Sequence, residues 1–112
     1  MIDHRFETVS NGDIDVRVAV AGEGPLILFI HGWPELWYSW RHQMDHFASR
    51  GFTTAAMDVR GYGGSSKPTE IERYGLRELS GDAAAVIDTI GGGNAIVVGH
   101  DWGAPIAWQT AR

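Results

Sequence analysis

Asp101 stands at the centre of Gly99-His100-Asp101-Trp102-Gly103, between an apolar run that reads as a strand and a stretch that reads as a helix. A side chain at the tip of so tight a strand-turn-helix projects above the carboxyl edge of a sheet, and the flanking glycines keep the turn free of clashes. Nucleophiles are presented in this way, usually serine, with Asp in its place here. The helix that follows offers unpaired N–H groups and the positive end of its dipole, and both favour the ionised carboxylate. Asp101 also reads as a plain N-cap, because Asp is a favoured cap.

His31-Gly32-Trp33-Pro34 follows a second apolar run and so falls at the same edge. Ligands bind at that edge in open α/β sheets. A Gly-X-Pro turn can aim the Trp33 N–H into the space above Asp101, and the Trp102 N–H can point to the same place. Two convergent backbone donors make an oxyanion hole, with roughly 10²–10³ in rate resting on each. Trp33, Pro34 and Trp102 are also the residues expected at the substrate. Alone, the His31–Pro34 segment reads equally as an ordinary strand-to-loop turn. Two such motifs in order, each after its own strand, favour the catalytic reading.

Other features carry less chemistry. His42 and His46 are spaced i, i+4, but Gln43-Met44-Asp45 between them lacks the Glu of a zinc-protease helix, so no metal site is expected. Gly61-Tyr62-Gly63-Gly64-Ser65-Ser66 leads into Lys67-Pro68 instead of a helix and fails the context of a phosphate-binding loop, leaving no cofactor motif. It reads as a structural turn, with Asp58 in a turn-stabilising role. Trp37, Tyr38 and Trp40 could line an apolar pocket, although Trp40 also matches a core stripe. His100 is expected behind the turn that carries Asp101.

These residues need a sheet and helices to position them. Phe6-Glu7-Thr8-Val9 alternates, meets a turn at Asn11-Gly12, and is followed by strict alternation from Ile14 to Val20, the pattern of a hairpin. Pro25 to Ile30 is continuously apolar, as in a strand covered on both faces. Phe52 to Asp58 and Ala95 to Gly99 read as further strands. Trp40, Met44, Phe47 and Ala48 form one helical stripe, with Ser39 as its N-cap. Leu76, Leu79, Ala83, Val86, Ile87 and Ile90 form a second, weakened at Gly81 by about 1 kcal/mol relative to Ala and ended by Gly91-Gly92-Gly93. A last helix begins near Trp102. The sum is an α/β protein with a mixed sheet.

The 112 residues allow one small domain, and 44% hydrophobic content with 5 Trp, 3 Tyr and 4 Phe argues against disorder. Fourteen acidic against nine basic residues give a net charge of −5 with no basic cluster, which argues against nucleic acid and anionic membrane as partners. No cysteine is present, no apolar run reaches membrane-spanning length, and Met1-Ile2-Asp3-His4-Arg5 is not a secretory start. A cytoplasmic protein is expected.

Three blocks carry a resemblance: His31-Gly32-Trp33-Pro34-Glu35-Leu36-Trp37-Tyr38-Ser39-Trp40-Arg41, then Asp58-Val59-Arg60-Gly61-Tyr62-Gly63-Gly64-Ser65-Ser66, then Gly99-His100-Asp101-Trp102-Gly103-Ala104. In order and spacing the chain resembles the α/β-hydrolase-fold epoxide hydrolases from about Gly22 onward. The resemblance implies a mostly parallel sheet with flanking helices, a small neutral epoxide and water as reactants, and no cofactor. It implies Asp101 as the nucleophile that forms an alkyl-enzyme ester, with the Trp33 and Trp102 N–H groups holding the oxyanion when water attacks that ester.

The elbow with Asp also occurs in haloalkane dehalogenases. One group of these places Asn at the position of Trp33, and fluoroacetate dehalogenases place Arg at that of Trp102. Both departures favour the epoxide. The base, its orienting acid and the cap with its proton donors would follow Asp101, yet none of the 5 histidines does. The expectation is therefore that 1–112 is the N-terminal part of one α/β-hydrolase domain, ending within a helix, inactive by itself and leaving Ala95–Gly99 as an exposed apolar edge. A non-catalytic α/β binding module is the rival from another class.

Overall fold

The computed structural model describes residues 3–112; Met1 and Ile2, part of the segment read as a non-secretory start, lie outside the described residues. Strands β1 (Arg5–Asn11) and β2 (Ile14–Ala21) pair antiparallel from Arg5↔Val20 to Asn11↔Ile14. The turn residues are Gly12 and Asp13, one position later than Asn11-Gly12. Gly12 alone takes the left-handed φ of +63°. Asn11 stays in the ladder, and its Nδ2 donates to Asp82 Oδ1 at 2.9 Å.

Strands β3 (Leu26–Ile30), β4 (Thr53–Met57) and β5 (Ile96–Gly99) complete a sheet of order β1-β2-β4-β3-β5. β3 runs parallel to both of its neighbours, and β2 meets β4 antiparallel, so the sheet is mixed as expected. Every residue of β3 is buried. Its odd and even positions serve different cores, which is why the run has no polar alternation. Leu28 and Ile30 join Val16, Val18, Met57, Val86 and Ile106 on one face, whereas Ile27 and Phe29 join Met44 and Ala56 on the other.

Helix α1 (Arg41–Ala48) covers the second face, and Trp40, Met44, Phe47 and Ala48 all reach that core. Ser39 is not its N-cap. A 3-10 turn, Trp37–Trp40, runs straight into the helix, Trp40 holds the cap position without a side-chain bond, and the Ser39 hydroxyl is engaged with Glu35. Helices α2 (Leu76–Gly91) and α3 (Gly103–Ala111) cover the first face. Gly91 still belongs to α2, which closes on Gly92 at φ +63°, the left-handed C-terminal cap that glycine adopts without strain. At the sheet edge, Ile96 of β5 is 55% exposed.

One buried ion pair locks the layers around the loops. Arg60 Nε and Nη2 lie 2.9 and 2.8 Å from the two oxygens of Asp82 on α2, while Arg60 Nη1 donates to the Arg73 carbonyl. With Asn11 also on Asp82, β1, α2, the segment after β4 and the 3-10 turn Ile71–Tyr74 share one polar node.

Candidate active site

Strand β5 ends at Gly99 and α3 starts at Gly103, so the chain reverses within three residues. Asp101 takes φ +59°, the one positive φ among the described non-glycine residues. The turn exists because its flanks are glycine. A Cβ at Gly99 would lie 2.3 Å from the Gly103 carbonyl oxygen, and one at Gly103 would lie 2.1 Å from that of Ile30. Both obstacles are backbone and cannot swing away. Gly32 is required for the same reason, since its Cβ would sit 2.3 Å from that of Asp101.

This close approach brings together the three groups read from the sequence. The Trp33 N–H donates to Asp101 Oδ2 at 3.0 Å. The Trp102 N–H, and after it the Trp33 N–H, hold the exposed Asp101 carboxyl below its ordinary pKa. Hydrogen bonding to the charged form favours ionisation.

The loop that carries Trp33 is tied down on several sides. The Glu35 N–H donates to Gly32 O at 3.0 Å, and the Gly32 N–H returns to Glu35 Oε1 at 3.2 Å, an interaction that lowers the pKa of Glu35. Asp58, fully buried, accepts from the Trp37 N–H at 2.9 Å, the Gly64 N–H at 3.0 Å and Arg17 Nε at 2.8 Å. Its turn-stabilising role thus extends beyond the glycine-rich turn to the end of the Trp33 loop. His31, 1% exposed, sits between Gly32 O and the Val59 N–H, and burial pushes its pKa down.

His100 is not packed behind the turn. Its side chain is 69% exposed, with Nδ1 3.5 Å from Glu35 Oε1. Gly103, not His100, sits against the carbonyls of Ile30 and His31. Trp40 stacks on Phe29 at 4.9 Å as a core residue, and Trp37 packs edge-on against Phe6 at 5.3 Å. His42 and His46 are exposed on α1, and among the described residues no group of three or more His, Cys, Asp and Glu could hold a metal.

A cavity of about 380 Å³ opens beside the turn, with Tyr62, Tyr74, Leu79, Trp102, Pro105 and Ile106 in its walls. Three of the polar side chains that reach it are already bonded: Arg60 to Asp82, His31 to backbone, and Tyr74 Oη to the Pro68 carbonyl at 2.6 Å. The rest of the wall is mostly apolar. Tyr62 lies edge-on to His31 at 5.0 Å, and burial together with the Asp101 charge raises its pKa. Of the residues expected at the substrate, Trp102 lines this cavity, while Trp33 and Pro34 are exposed outside it. The tyrosines and Leu79 were not singled out as walls, because helical periodicity marks Leu79 only as core.

The profile of the alpha/beta hydrolase fold family matches residues 25–112. The chain belongs to this family. Among similar proteins, Epoxide hydrolase B of Mycobacterium tuberculosis is 52% identical over 89 residues, covering 80% of this chain and 25% of the relative. Epoxide hydrolase 2 of Siraitia grosvenorii is 44% identical over 101 residues, covering 90% of this chain and 32% of the relative. A crystal structure of an epoxide hydrolase from Vigna radiata superposes with a TM-score of 0.88 at 48% identity, over 97% of this chain and 33% of the other. A variant of potato epoxide hydrolase gives 0.90 at 43% identity, over 96% and 35%. This alpha/beta hydrolase fold chain thus spans about a quarter to a third of the length of the relatives it matches.

Proposed function

We propose that this chain is the N-terminal part of an epoxide hydrolase and supplies its nucleophile and oxyanion hole. The observation that carries this is the Asp101 carboxylate, bonded by the Trp33 N–H at 3.0 Å and held ionised by it and the Trp102 N–H, on a strained turn beside a mostly apolar cavity. An ionised carboxylate attacks an sp³ carbon without a base. One Asp101 oxygen bonds to an epoxide carbon, the ring C–O bond breaks, and the departing oxygen takes a proton from an acid elsewhere in the longer protein. Water, deprotonated by a base also outside this chain, then adds to the ester carbonyl. The two N–H groups hold the oxyanion, and its collapse releases the diol and restores Asp101.

The names of the similar proteins favour an epoxide as the substrate, and the cavity beside Asp101 suits an uncharged, apolar substituent on it. No helix among the described residues is long and apolar enough to cross a membrane. The acidic, cysteine-free composition fits a cytoplasmic enzyme with a neutral substrate. The test is rapid acid quenching of the full-length protein with a terminal epoxide, followed by peptide mass analysis. The Asp101 peptide should gain the mass of one epoxide in the unaltered protein and none in Asp101→Asn. An adduct that survives in Asp101→Asn would remove the nucleophile assignment.

A further inference from the structure

The peptide that aims the Trp33 N–H at Asp101 is gripped at its other end. Its carbonyl, Gly32 O, accepts from the Glu35 N–H at 3.0 Å and lies 2.8 Å from His31 Nδ1. The other ring nitrogen, Nε2, lies 3.0 Å from the Val59 N–H. A backbone N–H can only donate, so Nε2 must accept, and a neutral imidazole then carries its proton on Nδ1. The tautomer of His31 is thus set by Val59, and the Nδ1–H is left to bond Gly32 O. Because the Gly32–Trp33 peptide is planar, fixing its carbonyl also fixes the direction of its N–H. Two hydrogen bonds on the carbonyl further polarise the peptide and strengthen the N–H as a donor.

We infer that His31 is a positioning residue for the oxyanion hole, its Nδ1–H tautomer orienting the Trp33 N–H on Asp101. This rests on the ester mechanism proposed above, in which that N–H matters most when water attacks the ester carbonyl. The ring is buried, with Tyr62 edge-on to it at 5.0 Å between centroids. The role divides the two halves of the reaction. Losing the grip on Gly32 O slows ester hydrolysis and leaves ester formation nearly untouched.

The full-length protein provides the test. With isotopically labelled histidine nitrogens, the magnetic-resonance spectrum should show His31 protonated at Nδ1 and unprotonated at Nε2. A proton on Nε2 at neutral pH would overturn the inference, whatever the enzyme catalyses. His31→Asn keeps a donor near the Nδ1 position, whereas His31→Gln keeps an acceptor near Nε2. Ester hydrolysis should slow about tenfold or more in His31→Gln and stay within about threefold in His31→Asn, against the ~10²–10³ expected for outright loss of a donor. Ester formation should stay within about threefold in both. Equal slowing of both steps, or equal loss in both variants, would mean that His31 serves the fold alone. Thermal melts separate such a loss from unfolding, and if neither variant folds the tautomer in the unaltered protein decides. Should the unaltered protein form no ester at all, the epoxide hydrolase reading fails and the tautomer result still stands.

Discussion

The Trp33 N–H lies 3.0 Å from Oδ2 of Asp101, joining residues 68 positions apart in sequence across the ends of two adjacent parallel strands. The contact depends on what is missing between them, because any side chain at Gly32 would occupy the space that Asp101 fills. The same bond holds the carboxylate ionised before reaction and marks where negative charge would gather after it.

Glycines in this chain divide sharply by what a methyl group would meet. Gly103→Ala should destabilise the protein by about 3 kcal/mol or more, beyond ordinary core overpacking, because its Cβ meets the Ile30 carbonyl oxygen at 2.1 Å. Gly81→Ala should stabilise it by about 0.5–1 kcal/mol, since the new Cβ lies 3.6 Å from the Asn11 side chain and sits inside α2. Denaturant midpoints of the two variants check both signs.

The Arg60–Asp82 pair is 5% and 0% exposed at its two side chains. Arg60→Met should cost about 3–5 kcal/mol by leaving the Asp82 carboxylate buried without its cation. The measure is the unfolding free energy, and a loss below about 1 kcal/mol would show that the pair is no more than a surface ion pair in effect.

Asp101 sits below its ordinary pKa of 3.8 because the Trp102 and Trp33 N–H groups stabilise its charge. A depressed value keeps the Asp101 carboxylate ionised to a lower pH than an ordinary Asp. The burst of ester formation, followed after rapid pH jumps, should therefore fall to half its plateau only below pH 3.8. A decline centred above that value would mean that the two donors do not favour the carboxylate.

Much of this site was legible in the sequence because its signals are local. Gly99-His100-Asp101-Trp102-Gly103 announces a turn that few residue types can make, and the apolar run Pro25 to Ile30 announces a strand covered on both faces. What escaped depends on contacts between distant segments. The His31 ring is held by Val59, Asp58 reaches Trp37 and Arg17, and Arg60 finds Asp82 on α2. None of these pairings leaves a periodicity or a spacing. The misplacements were local: Ser39 lost the cap position to a 3-10 turn, and the His100 side chain is exposed, beside Glu35.

In the proposed reaction Asp101, not water, attacks the epoxide. A single turnover of the full-length protein in heavy-oxygen water, with enzyme in excess, tests it directly. The heavy oxygen should appear in the Asp101 carboxylate and not in the first diol released, because water attacks the ester carbonyl. Heavy oxygen in that first diol, with Asp101 unlabelled, would contradict it.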